Sequence, residues 1–259
     1  DTLVYRNSKK APGSTMHHVH GNKTNRPRFA RGQCWVTAAV SVGAGVKHAA
    51  IPLLSRLMRH DSNRSKLETA ALLLRLIAPV FNNSPVIVLV DSWYMKWPYL
   101  SRVLKLKLHA IGQVRRDTAL YAPPPPPTGK RGRPPKYGAR YTAEQVAALP
   151  LHRVQKHLYG KTQWVCYRTT TCLARFLQAR EVRVVWMQLE GEDGWLSKTR
   201  LLLATNPEIH AEDVISWYAR RWSIEGLFNH MKNRWGWRET WQQSRQVLHR
   251  WVQIVSIAY

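Results

Sequence analysis

The sequence predicts a mixed α/β fold: a sheet-based core, a β-rich insertion, and long helices closing the chain. Three observations lead there. Residues 86–91 read VIVLVD, a continuous apolar run of the kind buried on both faces of a sheet. Just before it, SKLETAALLLRLIAPVF (65–81) carries the apolar period of an amphipathic helix. Near the end, residues 211–234 repeat apolar positions at helical spacing, with charges on the neighbouring arc.

The elements follow in order. Residues 1–5 (DTLVY) and 28–42 (RFARGQCWVTAAVSV) read as strands, the second rich in β-branched and aromatic residues. The segment between them is polar and holds His17, His18 and His20. After the 65–81 helix and the 86–91 strand, a short helix over 97–105 and a strand over 109–114 complete a βαβ unit. Composition changes after Arg116: a proline run at 123–127 leads into TGKRGRPPKYG, which is neither helix nor central strand. A short helix at 141–149 precedes strands at 163–169, 182–190 and 199–205. Asn206-Pro207 then punctuates entry to one helix over 211–234, and a last helix starts near Trp241. The expected organisation is a core (1–116), a basic linker and β-rich insertion (117–205), and C-terminal helices (206–259).

Charge narrows the partner. Forty Lys and Arg against 15 Asp and Glu give +25, a field that favours polyanions, nucleic acid being the commonest, while ribosomal or membrane-surface binding would give similar numbers. Only Cys34, Cys166 and Cys172 occur, which argues against a disulfide framework and for a reducing compartment. No stretch approaches the roughly 20 apolar residues that span a bilayer. The chain opens on DTLVYRNSKK without Met or signal peptide and stops inside an apolar run at SIAY, so it reads as part of a longer protein.

The chemistry concentrates in YARRWSIEGLFNHMK. On one helix, Tyr218, Arg221, Glu225 and Lys232 would fall within about a 60° arc. A salt-bridge ladder explains the charges but not the phenol and the adjoining apolar arc. Asp91 ends the 86–91 run, where α/β folds commonly place functional groups; a strand-end Asp capping the next turn is the plainer alternative. Several carboxylates from separate elements are what a pair of divalent cations needs.

These residues carry a resemblance. The chain resembles the Asp-Asp-Glu transposases of bacterial insertion sequences, in the branch marked by the Tyr-x2-Arg-x3-Glu-x6-Lys motif. DTLVY, VIVLVDSWY, and LLLATN leading into Tyr218–Lys232 supply the match. The resemblance implies a ribonuclease-H-like (retroviral-integrase-like) core with the insertion before the Glu helix. It implies Asp1, Asp91 and Glu225 as catalytic ligands of two Mg²⁺ ions, with Mn²⁺ able to substitute. It implies that Tyr218, Arg221 and Lys232 contact the DNA backbone, and that the chain acts as a dimer on double-stranded DNA at the bacterial nucleoid, in the cytoplasm. The implied reaction is cleavage of transposon ends and strand transfer into target DNA. An inactive DNA-binding remnant, or a nuclease that never joins ends, stays open as an alternative.

Lys130, Arg131 and Lys136 flank a Gly-Arg-Pro core, with Arg133 at its centre, that resembles an AT-hook; it reads as a DNA-contacting strip, more for phosphate tracking than for the minor groove, with a solvated basic linker as the plainer alternative. Trp164, Trp186 and Trp195 lie in the insertion, where the resembled family can stack a flipped base, although core packing is the plainer role. The three histidines lack partnering Cys or acids, which argues against a metal site.

Overall fold

In the computed structural model, residues 1–6, 8–19, 28–43, 47–58, 66–82, 84–126, 134–191, 193–241 and 243–259 are described. They divide into two compact units, one formed by Asp1–Asn82 with Ser223–Tyr259 and the other by Asn83–Trp222. Among the described residues no helix is long and apolar enough to cross a membrane.

The first unit is built on a long strand. β1 (Thr2–Tyr5) and β2 (Ser14–His18) are short, and β3 (Phe29–Val42) carries a nearly continuous buried stretch in its middle. β1 pairs with one edge of β3, Thr2 opposite Trp35 and Tyr5 opposite Gly32. β2 and then β4 (Ala49–Leu57) share the other edge, all antiparallel. The pattern left β4 unassigned because Pro52 interrupts it. Its register shifts between Ala38 and Ala39, opposite Leu54 and Pro52, so the proline sits at an irregularity on an edge strand, where it is tolerated. α1 (Lys66–Ile77) packs on β3 and β4. The expected helix to residue 81 tightens into a 3₁₀ turn at Ala78–Phe81, with Pro79 at its start. A proline lacks the N–H that an α-helix would use there.

The second unit begins with β5 (Ile87–Val90), α2 (Trp97–Lys105) and β6 (His109–Val114), and the two strands are parallel as a βαβ unit requires. β7 (Leu120–Tyr121) and α3 (Ala143–Ala147) follow, the helix started by a Thr142–Gln145 capping box. β8 (His152–Leu158), β9 (Lys161–Ala174), β10 (Arg180–Glu190) and β11 (Arg200–Ala204) complete one sheet in the order β5-β6-β11-β10-β9-β7, with β8 also on β9. The strands of the β-rich stretch therefore extend the sheet that β5 and β6 begin. α4 (Ala211–Arg220) covers this sheet and buries Val214, Ile215 and Tyr218 among Ile111, Val185, Met187 and Leu202.

The β8–β9 hairpin turns on Tyr159 (φ 56°) and Gly160 (φ 81°), the paired positive angles of a type I′ turn. A Cβ at Gly160 would meet nothing within 4 Å, so Gly160→Ala isolates the backbone cost. It should lower stability by about 1 kcal/mol, read as a lower urea midpoint at unchanged slope; no change would mean the turn has another geometry.

After α4 the chain returns to the first unit as α5 (Ser223–Asn233) and α6 (Arg245–Ala258). Ser244 caps α6 through the Val247 N–H. Leu227, Phe228, Met231, Leu248, Val252 and Val255 join Val4, Trp35, Leu57 and Trp237 in its core. The single helix expected over 211–234 is thus two helices. At the break, the N–H groups of Arg221 and Trp222 donate to the carbonyls of Tyr218 and Ala219, both at 3.1 Å, an i to i−3 pattern that ends the first helix. The apolar period runs on unbroken, but its two halves bury in different cores, and packing rather than propensity decides where a helix stops.

Candidate functional site

In the second unit, three of the sequence-predicted residues share one end of the sheet. Asp91 follows β5 directly, and Gln113 stands one residue beyond the Val90–Gly112 pair on the adjacent parallel strand. The Asp91 Oδ1 accepts from the Trp93 N–H at 2.9 Å, which turns the chain sharply toward α2 and leaves Oδ2 outside that turn. Gly112 permits this path, since a Cβ there would stand 2.5 Å from Met95. Tyr218, 6 % exposed, donates its hydroxyl to Gln113 Oε1 at 3.5 Å. Burial pushes its phenol up; Arg221 opposes the shift, and the Asp91 charge adds to it. The hydroxyl therefore stays a donor at neutral pH.

Arg221 lies with its guanidinium carbon 5.5 Å from the Tyr218 ring centroid and 5.9 Å from that of Trp222. Trp222 meets Tyr159 edge-on at 6.1 Å, and Arg200 donates to the Tyr159 hydroxyl at 3.4 Å. Gln113, Tyr159, Arg200 and Trp222 were not singled out by the sequence. The Tyr-Gly pair of the hairpin was the one available signal, because the contacts join residues distant in the chain.

In the first unit, Asp1 stands at the start of edge strand β1. Its Oδ2 is 2.5 Å from Lys66 Nζ at the start of α1, and the Cys34 thiol donates to it at 3.6 Å. Burial pushes the Cys34 thiol up, with Lys66 opposing, so it remains a thiol. Lys232, in the last turn of α5, donates to Thr2 Oγ1 at 2.9 Å. Glu225 is exposed in the first turn of the same helix, seven residues before Lys232 and hence on the same face two turns away. The four-residue motif is divided: Tyr218 and Arg221 belong to one unit, Glu225 and Lys232 to the other.

The carboxylates are likewise distributed, Asp1 and Glu225 in one unit and Asp91 in the other, and among the described residues no three His, Cys, Asp or Glu side chains are gathered as a metal-binding group. The donor chemistry nonetheless suits a hard divalent cation: all three are carboxylates, and Asp1 already accepts the cationic Lys66.

Lys136 is exposed beside Tyr137, 5.9 Å from its ring centroid, while Lys130, Arg131 and Arg133 lie outside the described residues. Of the tryptophans, Trp195 is 78 % exposed. Trp186 is half-buried against Tyr141, and Trp164 lies under the Arg153 guanidinium at 4.1 Å. The three cysteines are free and buried. His17 lies 2.6 Å from Thr15 Oγ1, and His20 is outside the described residues.

Compared with known proteins, residues 14–259 match the family described as Transposase DDE domain. The match begins after β1, so Asp1 precedes it. No curated protein matches the chain.

Proposed function

Because this chain belongs to the transposase DDE domain family, we propose that it is a DNA transposase of the Tyr-x2-Arg-x3-Glu-x6-Lys branch. In this reading a ribonuclease-H-like core cuts the ends of an insertion sequence and joins them to target DNA. The observation that carries the reading is the group at the β5–β6 end: a strand-tip carboxylate beside a phenol donor that is backed by a guanidinium. A helix salt-bridge ladder would not need that arrangement.

Asp1, Asp91 and Glu225 would hold two Mg²⁺ or Mn²⁺ ions. When bound, such ions activate the attacking oxygen and stabilise the leaving 3′-oxygen of an in-line displacement. The chain's own groups position the strand. Arg221 offers a bidentate fork to a phosphate, Lys232 a point charge, and Tyr218 a neutral hydroxyl that would exchange its long Gln113 contact for a phosphate oxygen. Such contacts set register on the duplex and carry little sequence information. The +25 field attracts double-stranded DNA to the chain, and the basic strip at Lys130, Arg131, Arg133 and Lys136 tracks further phosphates. Holding two transposon ends at once calls for a dimer on DNA.

The test uses labelled duplexes taken from the DNA on either side of the reading frame, with Mg²⁺ and a target duplex. Cleavage leaving a 3′-hydroxyl, followed by joining to target, is the expected result. Nicking without joining, when the 3′-hydroxyl end is supplied ready-made, would reduce the protein to a nuclease. No nicking in any divalent ion would sink the enzymatic reading.

A further inference from the structure

Three cations of the first unit lie together with no acid among them. Thr2 and Val4 share one face of β1 by strand alternation and Arg6, just past the strand, continues it; Val4 is buried in the core with Met231, so this face looks onto α5. Lys232 Nζ donates to Thr2 Oγ1 at 2.9 Å. Arg238 donates from Nε to the Lys232 carbonyl at 3.0 Å and from Nη2 to Asn233 Oδ1. Arg6 in turn donates from Nη1 to the Arg238 carbonyl at 3.0 Å and from Nε to Gln33 Oε1 at 3.4 Å. The remaining Arg6 nitrogen, Nη2, is enclosed and has no hydrogen-bond partner among the described residues. None of the three cations has a carboxylate partner among the described residues.

A strut holding the loop after α5 would explain Arg6 Nη1 and the two Arg238 bonds. It does not explain an enclosed guanidinium N–H left without an acceptor, nor cations set against one another. Burial, and then the charge of Arg238, hold both Arg6 and Lys232 below their ordinary pKa values. Such a group is costly as it stands and is completed by an anion with several acceptor oxygens.

We propose that Arg6, Lys232 and Arg238 form the binding site of one phosphate group, and that this group is a backbone phosphodiester of DNA. The choice of DNA as its source rests on the function proposed above. The sequence motif supplied only Lys232. Arg6 follows β1, four residues after Thr2, and Arg238 follows the turn after α5, so the fold completes a pocket that the motif only begins.

Duplex binding by the full chain, in EDTA and over a range of salt, tests the site. Arg6→Gln and Arg238→Gln should each make the negative slope of log K against log salt shallower by about 0.9, the share of one phosphate contact. Arg6→Lys, which keeps the charge, should retain the slope. If both Gln variants melt lower yet keep the full slope, the two arginines are struts and the proposal falls. A second arm uses inorganic phosphate at constant ionic strength, which should raise the thermal midpoint of the wild-type chain and lose that effect in Arg6→Gln. Undiminished protection in both Gln variants overturns the site. Protection lost with the DNA slope unchanged overturns DNA as the source. A wild-type chain that is protected by phosphate but neither binds nor cuts duplex DNA would sink the function above and leave the phosphate pocket standing.

Discussion

Asp91→Asn and Asp91→Ala should both abolish strand cleavage, with a loss on the order of 10³-fold or more, while duplex binding stays close to wild type. The magnitude follows from removing a charge worth several kcal/mol to the transition state, about 4 kcal/mol being a thousandfold. The pair of variants separates two roles of one side chain. Asp91 caps the turn after β5 through the Trp93 N–H. Asparagine caps such turns as well as aspartate does, so Asp91→Asn keeps the turn and loses only the carboxylate. Alanine loses both. If Asp91 were only a cap, the Asn variant would cut DNA normally and the Ala variant would merely be less stable, by about 1 kcal/mol. Cleavage by Asp91→Asn at the wild-type rate therefore removes Asp91 from the chemistry. Glu225→Gln, on an exposed first turn where the side chain supports no core, should lose cleavage to a similar degree.

What the sequence revealed, and what it hid, follows from how local each determinant is. β5, α2 and β6 were readable because their own residues carry the pattern: an apolar run ending in Asp91, a helical face burying Tyr99, Leu100 and Val103, and a second apolar run. β8 escaped because only Leu158 of its seven residues is fully buried, and its histidines, Arg153 and Lys156 mask the alternation. β4 escaped through Pro52 and the irregular register opposite it. The break between α4 and α5 has no proline or glycine to announce it; it exists because Tyr218 and Leu227 bury in different cores. The candidate site divides in the same way. Asp91, Tyr218 and Arg221 could be named from a strand tip and a helical motif. Their partners could not: Gln113 is 105 residues from Tyr218, and Lys66 is 65 from Asp1. Spacing along the chain carries no signal for pairings that only the sheet order creates.

Trp35→Ala should produce the largest loss of stability, about 3–5 kcal/mol, the range for truncating a buried tryptophan. Trp35 is 1 % exposed at the centre of β3 and meets Trp237 and His249 edge-on, with ring centroids 5.8 and 5.5 Å away. Two elements that carry candidate site residues lean on this cluster: β1 with Asp1, through Val4, and α5 with Glu225 and Lys232, through Leu227, Phe228 and Met231. The Trp35 indole N–H is buried without an acceptor among the described residues, which sets up a contrast. Trp35→Phe removes that unpaired donor along with some volume, so it should cost distinctly less than the difference in size suggests. Denaturant unfolding gives the magnitudes, and hydrogen exchange gives the location. Protection should fall in β1, β3, α5 and α6, while amides of β10, β11 and α4, whose core is separate, keep theirs. Equal loss in both sets would mean that the two cores unfold as one cooperative body. Little loss in either would mean that the Trp35 cluster is not what holds β1 and α5 in place.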